Sequence, residues 1–310
     1  MAPTLRIPKT GATPPIPTHF RCVANEPHVS SNRGGCRVLA TSFTRSAGDE
    51  AACSEILSAL ACTLPLGDEA CRQIVDSSEA LRTLVSILRS GDSEERLNAV
   101  LVVKELAADR GRAAAVAVTE GLVEAIAKLI KERASPRATK ASLVAAYYLA
   151  SASGRARSGF VRSSAVPSLL EILVESERSV CEKALGALDA ILGDEEAREE
   201  AREHALAVPV LVKRMFRVSE IATEFAVSGL WKLCCRSSCC DDDDGERRRG
   251  LARAALSVGA FQKLLLLLQV GCSEGTKEKA SELLRMLNGC RGGEEYCVDS
   301  ADFRGIKRNF

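Results

Sequence analysis

Glu79-Ala-Leu-Arg-Thr-Leu-Val-Ser-Ile-Leu88 and Gly121-Leu-Val-Glu-Ala-Ile-Ala-Lys-Leu-Ile130 share one pattern of apolar positions. Ser164-Ala-Val-Pro-Ser-Leu-Leu-Glu-Ile-Leu173, Leu206-Ala-Val-Pro-Val-Leu-Val-Lys-Arg-Met215 and Gly259-Ala-Phe-Gln-Lys-Leu-Leu-Leu-Leu-Leu268 repeat it. The five starts step by 42, 43, 42 and 53 residues. Behind each lies a second stripe with small or apolar residues at i, i+3, i+4 and i+7. It runs Ala99/Val102/Val103/Leu106, Ser142/Ala145/Ala146/Leu149, Ala184/Ala187/Leu188/Ile191, Ala226/Gly229/Leu230/Leu233 and Ala280/Leu283/Leu284/Leu287. Two stripes of helical period holding one phase over five units are a repeat, not a coincidence of composition.

Between the stripes lies room for a short leading helix. Asp194-Glu-Glu-Ala-Arg-Glu-Glu-Ala-Arg202 fills it in one unit, after a stop at Gly193 and with carboxylates at the positive end of the new helix. Ser135-Pro136 reads as an N-cap followed by proline at the first helical position. A period near 42 built from one short and two long helices fits armadillo or HEAT units. A single unit cannot bury its own stripe, so neighbours must stack around a continuous core. The expected fold class is all-α, an armadillo-repeat right-handed superhelical solenoid over residues 50–290. Leu57/Leu60/Ala61/Leu64 make a partial unit at its start. Residues 1–49, rich in Pro, Gly, Ser and Thr, are expected to be irregular or disordered, and residues 291–310 a tail. The long fourth step places an inserted loop at 236–250, and Asn288-Gly289 is expected to close the last helix with a left-handed cap.

Composition agrees. The 310 residues are 46% apolar but only 4% aromatic, a core of Ala, Leu and Val that argues against an all-β fold. Lys and Arg total 42 against 41 Asp and Glu, so no global field favours nucleic acid or an anionic membrane. The longest leucine run is Leu264–Leu268, too short for a membrane span. Thirteen cysteines, an odd number set mostly inside apolar helical patterns, argue against a disulfide framework and for a reducing compartment, cytoplasm or nucleus.

Catalytic and cofactor chemistry finds little footing, and no cofactor or metal is expected. Gly271-Cys-Ser-Glu-Gly275 fits the G-x-S-x-G string, but it joins two helices and no histidine follows His204. It reads as a turn whose glycines tolerate positive φ. Cys234-Cys235 and Cys239-Cys240 could offer thiolates to zinc, yet adjacent helical residues point about 100° apart, and buried structural thiols are the simpler reading. Asp241 to Asp244 lacks the spacing of a calcium loop. Trp231, the sole tryptophan, sits between Leu230 and Leu233 on a core stripe and reads as packing. Cys235 stands where peptide-clamping import receptors carry an asparagine.

Arg217 to Cys234, Val258 to Leu265, Leu268 to Cys272, Thr276 to Ala280, Leu283 to Arg291 and Asp302 to Arg308 together resemble the armadillo region of plant U-box ubiquitin ligases. The resemblance spans about residues 50–310. It implies that the repeats hold a protein substrate, while a U-box docks a charged ubiquitin-conjugating enzyme. Ile16-Pro-Thr-His-Phe-Arg-Cys22 resembles the opening of a U-box, with Phe20 and Cys22 as its remnant. The Pro-Ile, Met-x-Asp-Pro-Val, Thr-Tyr-Asp-Arg and Cys-Pro elements that continue it in the family do not follow. The expectation is a truncated or misassembled U-box, so that a conjugating enzyme is a partner only where a U-box is present. The alternative is a non-catalytic armadillo scaffold or a competitor of an intact ligase. For substrate, Arg82, Lys128, Glu171, Lys213 and Gln262 fall between the apolar positions, on helices read as the last of each unit and as lining a concave face.

Overall fold

The computed structural model describes residues 33–235 and 242–290, which form seventeen helices and no strand. Helices α1 (Arg33–Arg45) and α2 (Glu50–Cys62) lead into five units of three helices. The first helices are α3 (Asp68–Val75), α6 (Arg110–Val116), α9 (Gly154–Arg162), α12 (Glu195–Glu203) and α15 (Asp242–Ser257). The second are α4 (Ser78–Ser90), α7 (Leu122–Glu132), α10 (Ala165–Glu175), α13 (Ala207–Arg214) and α16 (Ala260–Val270). The third are α5 (Ser93–Leu106), α8 (Pro136–Ala152), α11 (Arg178–Ile191), α14 (Glu220–Cys234) and α17 (Glu274–Cys290).

Helix starts are written locally. Asp49, Ser77, Asp109, Ser135, Ser153 and Ser219 each accept a hydrogen bond from an amide three residues on, and Asp92 forms a full capping box with Glu95. Second helices start on a left-handed residue in three units, at Gly121 (φ 77°), Ser164 (φ 53°) and Gly259 (φ 80°). A side chain at Gly121 would also crowd the Arg89 guanidinium.

Helix ends carry a device of their own. A side chain from the next first helix reaches back to the carbonyls that a third helix leaves unpaired. Arg112 donates to Leu106 O at 3.2 Å, Arg157 to Ala150 O at 2.9 Å and Arg198 to Leu192 O at 3.0 Å. Arg248 of α15 does the same for Cys234 O at 3.3 Å, while Arg202, on the first helix of the same unit, reaches Leu233 O at 3.0 Å. A cation there satisfies orphan carbonyls and complements the negative end of the helix dipole.

The third helices pack on one another along their lengths, most intimately α8 on α11, while the second helices meet more sparingly. A curved stack is compressed on its inner side, so the third helices are the inner, concave row and the second helices lie outside them. Small residues permit the compression: Ala141, Ala145 and Ala146 on α8 and Ala184, Gly186 and Ala187 on α11 are all buried. Every residue from 141 to 150 is buried. The stripes therefore form one continuous core, as a solenoid requires.

Four boundaries need correction. Residues 33–45 are not irregular: α1 buries Cys36, Ala40 and Phe43 against α2 and α3. The inserted loop is helical from Asp242 onward, as the first part of α15. Helix α17 runs through Asn288 and Gly289 to Cys290, with no left-handed cap at either. Gly271 has the expected positive φ, 101°, whereas Gly275 lies inside α17 with no positive φ. The expected tail at 291–310 and the U-box-like residues Phe20 and Cys22 lie outside the described residues.

Candidate functional site

The inner row presents a ladder of polar and aromatic side chains that crosses from helix to helix. Tyr147 of α8 stands 5.7 Å from Tyr148 and, edge to face, 5.7 Å from Phe225 of α14, two units away. The ring pair thus spans α11. In the repeat register the α11 residue midway between them is Gly186, which is buried although it has no side chain of its own. Burial, and then the nearby Asp189 carboxylate, push the Tyr147 phenol far above its ordinary pKa, so it stays neutral.

Asp189 is also the partner of Lys232 on α14. The ammonium donates to its carboxylate at 2.7 Å and to its carbonyl at 2.5 Å, both side chains largely buried. One helix further on, Trp231 donates its indole N–H to Glu282 of α17 at 2.7 Å. Lys279 lies 5.9 Å from the centre of that indole and donates to Ser228 at 2.9 Å. Ser219 donates to Glu182 at 2.6 Å and Lys140 pairs with Glu177 at 2.8 Å, so acidic and basic groups alternate along the row. A partner on this face has to match a pattern of charge and ring, because no net field draws it in.

Trp231 is half-buried: its ring packs against the core, as the sequence suggests, but its polar edge serves the inner face. The five residues chosen from sequence are on another surface. They sit on the second, outer helix of each unit, not on its last helix, which corrects their placement. Lys128, Glu171 and Lys213 share one register position and make an exposed ridge. Lys128 pairs with Glu132 at 3.7 Å, and Glu171 with Arg133 at 2.8 Å. Arg82 and Gln262 lie one turn earlier; Arg82 borders an open hollow with Val75, Leu81 and Val118. Gln262 is half-buried, with its Oε1 lacking a hydrogen-bond partner.

Among the described residues no group of three His, Cys, Asp or Glu side chains is placed to hold a metal ion. Cys234 is buried and its thiol is pushed up to about 12 by desolvation, while Cys235 is raised to about 11 for the same reason. Cys239 and Cys240 lie outside the described residues. Ser273, in the G-x-S-x-G string, donates to Thr276 at 3.0 Å at the start of α17, and the imidazole of His204 is spent on the amide of Leu206. Neither arrangement makes a nucleophile and base. No single described helix is long and apolar enough to cross a membrane.

Comparison with known proteins agrees with this architecture. The sequence profile described as the plant U-box protein ARM repeat region matches residues 29–307. U-box domain-containing protein 21 of Arabidopsis thaliana is 39% identical over 92% of the chain and 64% of its own length. U-box domain-containing protein 20 of the same plant is 36% identical over 86% of the chain and 59% of its own length. The E3 ubiquitin-protein ligase PUB22, also from Arabidopsis thaliana, is 29% identical over 66% of the chain and 46% of its own length. The chain therefore spans about half to two thirds of these relatives. Among solved structures, the designed armadillo repeat protein YIII(Dq)4CqI superposes with a TM-score of 0.64 at 20% identity, over 82% of the chain and all of that protein. A second design, solved in complex with the peptide (KR)4, gives 0.61 at 19% identity over 82% of the chain and 99% of the design.

Proposed function

Since the chain belongs to the plant U-box protein family, as its armadillo-repeat region, we propose that it binds a protein substrate for ubiquitin ligation on the inner row of third helices. The observation that carries the reading is Trp231. It is a tryptophan left half-exposed on the inner face and fixed there by Glu282 and Lys279. A rigid, oriented aromatic of this kind is what protein interfaces use as an anchor. One relative by fold, the design solved with (KR)4, binds a peptide, which supports a peptide-like segment as the ligand.

The residues here do no covalent chemistry on ubiquitin. Their part is to hold the substrate while a U-box brings a charged conjugating enzyme within reach, a gain in effective concentration. Polypeptide 1–310 alone is expected to form no ubiquitin chains with a panel of conjugating enzymes, and the same polypeptide joined to a U-box to form them. Robust chain formation by the unfused protein overturns that division of labour. Residues 16–22 hold only the opening of a U-box-like sequence, and this favours the second reading, a scaffold that binds substrate and competes with an intact ligase.

The site itself is tested by panning a displayed library of random peptides on the full chain. Selected peptides should lose at least tenfold in affinity on Trp231→Ala, and hold it on Lys128→Glu combined with Lys213→Glu. The reverse pattern places the site on the outer ridge chosen from sequence.

A further inference from the structure

Because the units repeat, each register position can be followed from one to the next, and the last unit breaks the rule. Leu265 of α16 is 42% exposed, whereas Val85, Ala127, Leu170 and Val212, at the same place in the four preceding units, are 5% exposed or less. Phe261 and Leu268 are likewise half-exposed at places buried in all four earlier second helices. Leu284 of α17 opens in the same way where Leu188 and Leu230 are at most 1% exposed. These are the positions that a following unit covers.

A terminal repeat normally meets water with a polar outer face. Helix α17 goes part of the way: Ser281 and Asn288 replace residues that are apolar and buried in the other third helices. Helix α16 does not, keeping leucine from 264 to 268 and adding Val270 at 69% exposure. An apolar face retained on one helix and replaced on its neighbour is a face with a specific cover.

We propose that residues 291–310 of the same chain are that cover, closing the end of the solenoid over Phe261, Leu265, Leu268 and Leu284. The chain leaves α17 at Cys290, at the open end. The next 20 residues are mostly polar but carry Tyr296, Val298, Phe303, Ile306 and Phe310. Twenty residues extend to as much as ~66 Å, and α16 is only ~16 Å long, so reach is ample. The family profile also continues to residue 307, well past the last described helix, so the tail belongs to the repeat region. A cover supplied in cis needs no partner concentration and leaves the inner row free for substrate.

The test uses the full chain with photoreactive p-benzoylphenylalanine in place of Leu265, irradiated as a mixture of light and isotopically heavy protein. Cross-links from position 265 to peptides of 291–310, within chains of one isotope, are expected. Links joining light to heavy chains would assign the face to a second copy, and links that miss 291–310 altogether would remove the tail; either result overturns the proposal. A second measurement is independent of the probe. Phe303→Ser, Ile306→Ser and Phe310→Ser together in the full chain should speed amide hydrogen exchange in α16 at least fivefold and leave α7 and α10 unchanged. Unaltered exchange in α16 counts against the tail.

Discussion

Leu188 and Leu284 occupy the same place in their units, the i+4 position of the third-helix stripe, yet one is sealed and the other half-open. Around Leu188 the inner row is at its tightest, with α8 against one side of α11 and α14 against the other. Around Leu284, among the described residues, the stack has a neighbouring unit on one side only. An apolar stripe therefore says that a residue can be buried, and its place in the array says how far it is. In a solenoid, stability is set by neighbours rather than by the unit.

The largest effect should come from placing a charge at those two positions. Leu188→Asp buries a carboxylate in an apolar stripe that is sealed on both sides, and a loss of about 3 kcal/mol or more is expected, enough to unfold the central units. Leu284→Asp meets a packed helix on one side only and on the other a segment that is mostly polar, so it should cost about 1 kcal/mol. Denaturant titration followed by far-ultraviolet circular dichroism compares them directly. Equal losses would mean that the ends of the array are packed like its centre.

How much of this was legible in the sequence follows from the same distinction. The 42-residue step and the two stripes fix every second and third helix, because burial on one face leaves a periodic trace. Helix α1 leaves a weak trace: Cys36, Ala40 and Phe43 are three residues in a stretch opened by Gly34-Gly35 and otherwise small or polar. Helix α15 was hidden for a different reason, since four aspartates, a glycine and three arginines read as solvated sequence. The inner face was harder still. Periodicity tells which residues of a helix point to the core, but not which row of helices is concave, so it cannot show that Arg82, Lys128, Glu171, Lys213 and Gln262 belong to the second helices of their units rather than the last. That the outer ridge would be spent on pairs such as Lys128 with Glu132 has no signature beyond an i, i+4 spacing.

The arginines that cap the inner helices sharpen the comparison at a second level. Arg198 is 5% exposed and divides its guanidinium between Leu192 O, Gly193 O and Glu195. Arg248, nearer the end of the array, is half-buried and reaches Cys234 O and Cys235 O at 3.3 Å each. Arg198→Met keeps most of the aliphatic packing but strands two carbonyls, and a loss of about 2 kcal/mol is expected. Arg248→Met, whose carbonyls can turn to water, should cost under about 1 kcal/mol. Melting temperatures of the two variants check the order. A larger loss at Arg248 would show that the last unit is held more firmly than its packing suggests.

The smallest effect is chemical and needs no mutation. Among the nine described cysteines Cys62 is exposed and Cys234 is buried. Desolvation raises the Cys234 thiol to about 12, and the Cys71 and Cys235 thiols to about 11. Only the thiolate attacks a disulfide reagent, so at pH 8 Cys62 should be labelled within minutes, while Cys234 waits for the inner row to open. The same shifts carry a sign for stability. A thiol whose folded pKa lies above its unfolded value, near 8.5, binds its proton more tightly when folded. Its contribution is complete below that value and is lost as pH climbs towards 11 or 12. Stability should therefore fall between pH 9 and 11 more than exposed thiols alone would allow, with Cys234 becoming reactive over the same interval. Mass spectrometry of labelled peptides at stepped pH reads both. Rapid labelling of Cys234 at pH 8 would mean that the end of α14 opens without the rest, and that the centre of the array is less tightly closed than the burial of its stripe implies.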